Sequence, residues 1–252
     1  MQIATHGILA ASASAAAPSF SNTKSLVFDG VDDFVTMGDV LDMANDGTDA
    51  YSISCWYKTT DSGSFQILIA KQKNSSPFNG FSLSMRGDLQ RFHFFLGTTS
   101  SNARLAGRTG TIATIRDGNW HHVCLTYDGS QVIGGFTLYF DGASQSITTE
   151  FNNTPTDVAN SVDFNLGCRD NAALFFDGNI DECAYFTSEL SASNVTSIYN
   201  SGSPADLTSL SPVGWWRNGD GDTFPTLTDN GSGSNNGTMT NMTSGDIVTD
   251  VP

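Results

Sequence analysis

The sequence predicts an all-β protein in which many short antiparallel strands form a sandwich or a barrel. Charged residues make up only 15% of the 252 residues, whereas Gly, Ser, Thr, Asn and Asp are abundant. Such a composition suits strands joined by tight turns and suits helices poorly. Runs of aromatic and β-branched residues recur along the chain, and Asp-Gly pairs often end them. A chain of this length is long enough for one all-β domain with a sizeable core.

The strands follow one another as short apolar runs. Residues 25–37 are predicted to form a hairpin that turns at Asp29 and Gly30. Residues 51–58 form a strand, and because side chains alternate along a strand, one face carries Ile53, Cys55 and Tyr57. Further strands are predicted at residues 66–71, 80–85, 91–96, 120–127, 136–142, 162–167 and 175–186.

One helix is predicted over residues 191–201. Ser191 suits the N-cap, and Leu190 can pack on Val195 as a hydrophobic staple. Val195, Ile198 and Tyr199 share one face, and Gly202 then ends the helix. After residue 204 the composition shifts towards Gly, Asn, Ser and Asp, with short strands predicted at residues 213–217 and 238–242.

Two adjacent histidines in the strand over residues 120–127 invite a catalytic or metal-binding interpretation. His121 and His122 are neighbours in a strand, so their side chains point to opposite faces. The two rings therefore cannot bind one ion or form one catalytic dyad. We predict structural roles for both, with one ring near the core and the other on the outer face.

Composition excludes several partners and sites. The net charge is −15 with only 11 Lys and Arg, which argues against nucleic-acid binding. No run approaches the 18 or so apolar residues that a membrane span requires, so membrane insertion is not expected. Four cysteines without metal-site spacing, Cys55, Cys124, Cys168 and Cys183, are predicted to be buried free thiols, with disulfides as the alternative. Free thiols favour assembly in a reducing compartment.

Four ordered motifs resemble the laminin-G-like, concanavalin A-type jelly roll, a superfamily that also contains the pentraxins. They read LVFDGVDDFV at residues 26–35, ISCWYK at 53–58, WHHVCLTYDG followed by LYFDG within 120–142, and FDGNIDECAYF with the predicted helix within 176–202. The resemblance implies an antiparallel two-sheet jelly-roll sandwich with one short helix near residues 191–201.

The domain order differs from much of that family. The segment at residues 214–239 resembles one that precedes the first hairpin in many members, yet here it follows the helix. We therefore predict an N-terminal arm over residues 1–24, a jelly roll over 25–203, and a segment over 204–252 that completes the sandwich as a circular permutation. A truncated second repeat is the alternative.

The tail and the first residues also resemble laminin-G-like proteins of tailed, particularly marine, bacteriophages. This resemblance implies a virion structural protein, assembled in the host cytoplasm, that decorates a capsid or tail and adheres to host-surface or environmental glycans. The arm would dock on its own or a neighbouring subunit and contact other virion proteins, within a homo-oligomer such as a trimer. The alternative is a secreted or cell-surface bacterial carbohydrate-binding module.

No catalytic site is predicted. Glucanases of the superfamily place two Glu residues at i, i+4 on one strand, whereas the three Glu residues of this chain, Glu150, Glu182 and Glu189, are not spaced in that way. The serine-hydrolase elbow and the metalloprotease helix motif are likewise missing from the sequence.

One structural calcium ion is the cofactor that the sequence predicts. Asp29, Asp32 and Asp33 lie together at the first turn, and carboxylate oxygens suit Ca²⁺. The family resemblance adds Asp170, at the position of the pentraxin calcium loop, and Asp181. The alternative is that these side chains cap turns.

Exposed aromatic rings are the usual means of holding sugars. The candidates from the sequence are Trp215, Trp216, Tyr139 and Phe78. No pattern separates them from ordinary core residues, so the sequence leaves the ligand-binding residues unknown.

Overall fold

The computed structural model describes residues 20–252, in which two antiparallel sheets pack face to face. This arrangement confirms the predicted two-sheet sandwich. The first sheet contains β1 (Ser25–Asp29), β3 (Tyr51–Lys58), β8 (His121–Tyr127), β9 (Phe136–Phe140), β10 (Ala143–Ser144), β13 (Asp177–Phe186), β14 (Gly214–Trp216) and β17 (Ile247–Val248). Its strand order is β10-β9-β8-β3-β13-β1-β17, with β14 beside β1 along the same edge of β13.

The second sheet has nine strands in the order β11-β7-β6-β5-β4-β12-β2-β16-β15. They are β2 (Phe34–Thr36), β4 (Phe65–Gln72), β5 (Gly80–Arg86), β6 (Arg91–Gly97), β7 (Arg104–Thr109), β11 (Ile147–Asn152), β12 (Asn165–Leu166), β15 (Thr226–Leu227) and β16 (Gly237–Thr240).

The core lies between the sheets. Ile53, Cys55 and Tyr57 of β3 share its inner face as predicted, and all three are fully buried. Tyr51 joins an aromatic group there with ring centres 5.3–6.4 Å apart. The four cysteines are buried free thiols, as the sequence predicts.

The single α-helix of the described residues, α1 (Ala192–Tyr199), confirms the predicted helix. The Ser191 hydroxyl accepts a hydrogen bond from the Asn194 amide at 3.2 Å, which is the predicted N-cap. Val195 and Ile198 are buried against the first sheet. The helix ends at Asn200, whose φ of 45° is left-handed, before Gly202 is reached. No helix among residues 20–252 is long and apolar enough to cross a bilayer.

Three strands of the second sheet, β7, β11 and β15, were missed by the sequence pattern. β7 combines two arginines with Ala106 and Gly107, and β11 is an exposed edge strand. Neither shows the apolar alternation that marks a half-buried strand. β11 is the edge strand of the sheet, where less of either face is buried, whereas β7 lies between β11 and β6 and is interrupted by Ala106 and Gly107. The strand predicted over residues 162–167 also shortens to Asn165–Leu166.

The segment that follows residue 204 supplies strands to both sheets. β14 pairs with β13 and β17 pairs with β1 in the first sheet, while β16 pairs with β2 in the second. The predicted arm over residues 1–24 falls mostly outside the described residues. Its described end contacts this same domain, since Thr23 donates two hydrogen bonds to Asp220 and Phe20 stacks on Trp215.

Candidate functional site

A groove crosses the outer face of the second sheet. Its floor consists of short side chains, Ser82 and Ser84 of β5 and Ala106 of β7, which the pairing register places on one face with His93 and Phe95 of β6. Short residues on central strands leave space that bulkier neighbours enclose. The space forms two adjoining cavities of ≈ 300 Å³ and ≈ 400 Å³.

Four of the phenylalanines that line the groove are partly exposed. Phe65 lies at the start of β4 and is 37% exposed, and Phe95 rises from β6. Phe78 comes from the loop after β4, and Phe151 from the edge strand β11. Phe78, Phe95 and Phe151 are half-buried, so each keeps part of a ring face available. Partly exposed rings beside polar groups are the usual lining of ligand sites.

This face also collects positive charge. The chain has seven arginines, and five of them lie here. Strand alternation places four on the same face as the floor residues, and the fifth comes from the loop after β12. They are Arg86, Arg91, Arg104, Arg108 and Arg169.

The arginines differ in how they are neutralised. Arg86 forms a two-bond pair with Asp88, at 3.0 and 2.5 Å. Arg108 donates to Glu150 at 3.0 Å. By contrast, Arg104 forms no ion pair with any carboxylate of residues 20–252.

Arg104 and Arg169 line the same end of the groove. The guanidinium carbon of Arg104 lies 3.5 Å from the ring centre of Phe151, and that of Arg169 lies 5.3 Å from the ring centre of Phe78. Arg169 donates to the Asn74 side-chain oxygen at 2.8 and 3.2 Å, which is a neutral partner. This end therefore presents two guanidinium groups without a paired acid within the described chain.

His93 and Glu150 complete the lining. Burial lowers the pKa of His93, so its ring is neutral at pH 7. Its Nδ1 lies 3.6 Å from Glu150, while its buried Nε2 has no hydrogen-bond partner among the described residues. Glu150 is the one carboxylate among the groove-lining residues, and Arg108 pairs with it.

The aromatic residues proposed from the sequence are mostly elsewhere. Trp216 is fully buried and stacks on Phe164 in the core. Trp215 and Tyr139 are buried in the layer that covers the first sheet. Only Phe78 lies in the groove, so the other three candidates were wrong for a ligand site. The missed residues occupy alternate positions of β6 and β7, a pattern that identifies their shared face only once those strands are paired.

The structure brings three of the five predicted calcium ligands together. Carboxylate oxygens of Asp29, Asp32 and Asp33 lie within 4.8 Å of one another. Asp29 Oδ1 already accepts from the backbone amides of residues 31, 32 and 33 at 2.8–3.4 Å. Burial and the Asp29 charge raise the pKa of Asp33 to about 6. The remaining carboxylate oxygens are hard donors that fit Ca²⁺, although they are fewer than its usual six to eight ligands.

The other two candidates do not share that cluster. Asp170 accepts from the Asn74 amide at 2.9 Å, in the loop beside the groove. Asp181 is fully buried on β13, where it accepts from the Asn22 side chain at 2.7 Å. Burial raises the pKa of Asp181 well above its ordinary value.

A buried ion pair lies beside Asp181 under the N-terminal residues. Glu182 accepts from the Trp215 indole at 2.7 Å and from Arg217 at 3.1 Å. Burial raises the pKa of Glu182 to about 7, partly opposed by Arg217. Arg217 in turn donates to the Ser21 carbonyl at 2.5 Å. This cluster holds residues 20–23 against the first sheet, and it has no opening to the groove-lining residues.

The paired histidines lie on opposite faces of the first sheet, as alternation requires. His121 packs on Phe140 at the edge of the core, with Asp141 at 2.8 Å and Asp117 at 3.1 Å. His122 is fully buried on the other face, 2.7 Å from the Ser54 hydroxyl and beneath Tyr199 of α1. Both rings pack against neighbouring side chains within the fold, and neither faces the groove.

Known proteins place this sandwich in a family. The sequence profile of the concanavalin A-like lectin/glucanases superfamily matches residues 29–196. The chain belongs to this superfamily. The lectin-like jelly-roll fold expected from the four motifs is therefore confirmed. No curated protein sequence matches the chain.

Several solved structures share the fold. A candidate carbohydrate binding protein from Bacteroides ovatus ATCC 8483 has a TM-score of 0.61 at 14% identity, over 89% of this chain and 60% of that protein. A heptameric SAP-like pentraxin from Limulus polyphemus gives 0.52 at 14% identity, over 71% of this chain and 82% of the pentraxin. The NanB sialidase from Streptococcus pneumoniae gives 0.51 at 15% identity, over 69% of this chain and 27% of the sialidase. At these identities the likeness concerns the fold, and this chain spans only part of the Bacteroides protein and of the sialidase.

Proposed function

We propose that this protein is a non-catalytic carbohydrate-binding protein that holds a glycan in the groove of the second sheet. The observation that carries the proposal is the groove itself, an open space of ≈ 300 and ≈ 400 Å³ with partly exposed rings and hydrogen-bonding side chains. Membership of a lectin and glucanase superfamily supports a sugar as ligand. The similar Bacteroides protein, named for carbohydrate binding, supports the same class.

The groove favours binding over hydrolysis. Glycoside hydrolysis commonly needs two carboxylates flanking the bond that breaks. Glu150 is the one carboxylate among the groove-lining residues, and it is paired with Arg108.

A glycan array with purified protein tests the proposal. We expect binding to a limited set of glycans and loss of that binding in Ala106→Trp, which fills the floor between the two cavities. Thr99→Trp, at the rim, is the second blocking variant in case the first fails to fold. Lys58→Gln on the first sheet is the control, because Lys58 lies outside the groove lining. If the wild type and both blocking variants bind glycans equally well, the groove is not the binding site.

The biological setting of such a module is a separate proposal, carried by the sequence resemblance to bacteriophage proteins. In this proposal the sandwich decorates a capsid or tail, its arm contacts other virion proteins, and it forms a homo-oligomer. The alternative setting is a secreted or cell-surface bacterial protein. Mass spectrometry of purified virions separates the two, since only the first setting places the chain in the particle.

A further inference from the structure

We propose that the end of the groove lined by Arg104 and Arg169 binds an acidic group of the glycan, so that the ligand is an anionic polysaccharide. The acidic group is a carboxylate or a sulfate ester, each of which presents two acceptor oxygens on one atom that a guanidinium fork can bind. The inference rests on the proposed function, because it names the class of sugar that the groove would hold.

The position of the arginines is the first support. A protein with a net charge of −15 repels anions at long range. Yet five of its seven arginines lie on the one outer face that carries an open groove. Local positive charge on an otherwise acidic molecule selects for negative groups at short range, where screening by salt is weakest.

The surroundings of Arg104 are the second support. Two other arginines of the described chain are paired with acids, Arg217 with Glu182 and Arg86 with Asp88. Arg104 instead lies on the Phe151 ring at 3.5 Å, half-buried and without a carboxylate partner. Stacking holds the guanidinium plane while leaving its N–H groups available, which lowers the ordering cost of binding an anion.

Arg169 repeats this arrangement from another element. Its partner is the neutral Asn74 oxygen, and its guanidinium lies over Phe78 at 5.3 Å. Both arginines line the cavity of ≈ 400 Å³. Two cations from separate elements that meet in one cavity form a site for an anion larger than a single ion.

Glu150 is the group that opposes the proposal, since it lines the same cavity. Arg108 neutralises it at 3.0 Å, and the neighbouring His93 is uncharged at pH 7 because burial lowers its pKa. Neither Arg104 nor Arg169 forms an ion pair with an acid of the described residues, although the charge of Glu150 acts on Arg104 and that of Asp170 on Arg169.

The test compares five polymers on the intact protein by isothermal titration. Dextran is the neutral probe, carboxymethyl dextran and polygalacturonate are carboxylated, and dextran sulfate and carrageenan are sulfated. We expect at least one charged class to bind, dextran to bind at least about tenfold more weakly, and affinity to fall as NaCl rises from about 50 to 500 mM. Which charged class binds distinguishes a uronic-type sugar from a sulfated one.

Arg104→Gln and Arg86→Gln form the matched pair of variants. The Arg104 side chain makes no hydrogen bond within the described chain, so its replacement should leave the fold intact and weaken binding of the charged polymer about tenfold, as expected for one charge-assisted hydrogen bond. Arg86 lies on the same face but is neutralised by Asp88, so its loss should change affinity less than about threefold.

Three results would overturn the inference. Equal losses in the two variants would mean that the face attracts anions without a defined site. If none of the charged polymers binds, the ligand does not carry the proposed acidic group. The same conclusion follows if dextran binds as tightly as its charged derivatives. If glycans on the array still bind to the wild type and Ala106→Trp abolishes that binding, the proposed function is supported. Only the inference that the glycan is anionic is then wrong.

Discussion

The two sheets share one core but differ at their outer faces. The outer face of the first sheet is covered by α1, by the segment before β14 and by Phe20, and its apolar side chains form a second buried cluster. The outer face of the second sheet is open, with short residues on its central strands and arginines and phenylalanines around them. The ion pairs differ as well, since Glu182 of the covered face is buried and paired with Arg217, whereas Arg104 and Arg169 of the open face form no ion pair with the described residues.

This difference indicates that the outer face of the second sheet is the place to look for a ligand site. A covered face must satisfy its polar groups internally, because burial of an unpaired polar group costs free energy. An open face can leave such groups for a ligand. Among the conspicuous residues of the sequence, the paired histidines and the tryptophans Trp56, Trp215 and Trp216 belong to the core or the covered face, whereas Trp120 is half-buried.

The largest expected effect contrasts one phenylalanine from each face. Phe186 is 2% exposed in the covered cluster, so Phe186→Ala should lower the free energy of unfolding by about 3–5 kcal/mol. Phe95 in the groove is half-buried, so Phe95→Ala should lower the free energy of unfolding by less than about 1.5 kcal/mol. The same substitution should weaken glycan binding. Urea unfolding of both variants measures this, and equal losses of stability would erase the distinction between the faces.

The next effect concerns the ion pair of the covered face. Arg217→Ala leaves Glu182 buried without its cation, and we expect a loss of about 3 kcal/mol in the free energy of unfolding at pH 7. The double variant Glu182→Gln, Arg217→Met removes both charges and should recover most of that loss. Groove binding should stay at the wild-type value in each variant. A glycan affinity that follows the unfolding free energy would contradict the separation of the two faces.

Stability should also depend on pH through Glu182. Its folded pKa of about 7 exceeds the ordinary value of 4.5, so the folded state holds the proton more tightly than the unfolded state. Its stabilising contribution is therefore complete below pH 4.5 and is lost as the pH rises to about 7. Relative to Glu182→Gln, the wild type should lose stability across this window in urea titrations. A constant difference between the two proteins would show that Glu182 titrates normally.

The neighbouring histidines should titrate far apart. Burial lowers the pKa of His122 to about 4. Burial also lowers that of His121, but hydrogen bonds and charges from Asp141 and Asp117 outweigh it and raise the pKa above 6.5. Two-dimensional NMR of the imidazole groups from about pH 4 to 8 measures both, with His122→Gln as the assignment control. Coinciding curves would place both rings in similar environments, contrary to their opposite faces.

The smallest expected effect concerns calcium at the first turn, which stays a prediction from the sequence. With a dissociation constant of about 1 mM, as in extracellular calcium modules, 5 mM calcium should raise the free energy of unfolding by about 1 kcal/mol. Asp33→Asn should abolish the shift, whereas Asp170→Asn should keep it, since Asp170 lies outside the cluster. A melting temperature that calcium leaves unchanged would assign these aspartates to turn capping alone.

Much of the fold was predictable because its signals are local. Alternation placed Ile53, Cys55 and Tyr57 on one face, and a serine cap with a spaced apolar stripe predicted α1. The strands β7 and β11 were missed because their side chains carry little apolar alternation. The groove was missed for the same reason, since Arg104, Ala106 and Glu150 belong to those two strands.

The sequence by itself determined the fold class, the family, the single helix, the free cysteines and the opposite orientation of the two histidines. Each follows from neighbours in the chain, through strand alternation, turn chemistry or a contiguous motif. Only the tertiary structure decided which outer face is covered. Both β3 and β8 are buried on each face, and the cover of their outer face comes from Phe20 and from residues from 190 onwards. The groove arises likewise from strands and loops distant in sequence, because Arg104 comes from β7 and Arg169 from the loop after β12.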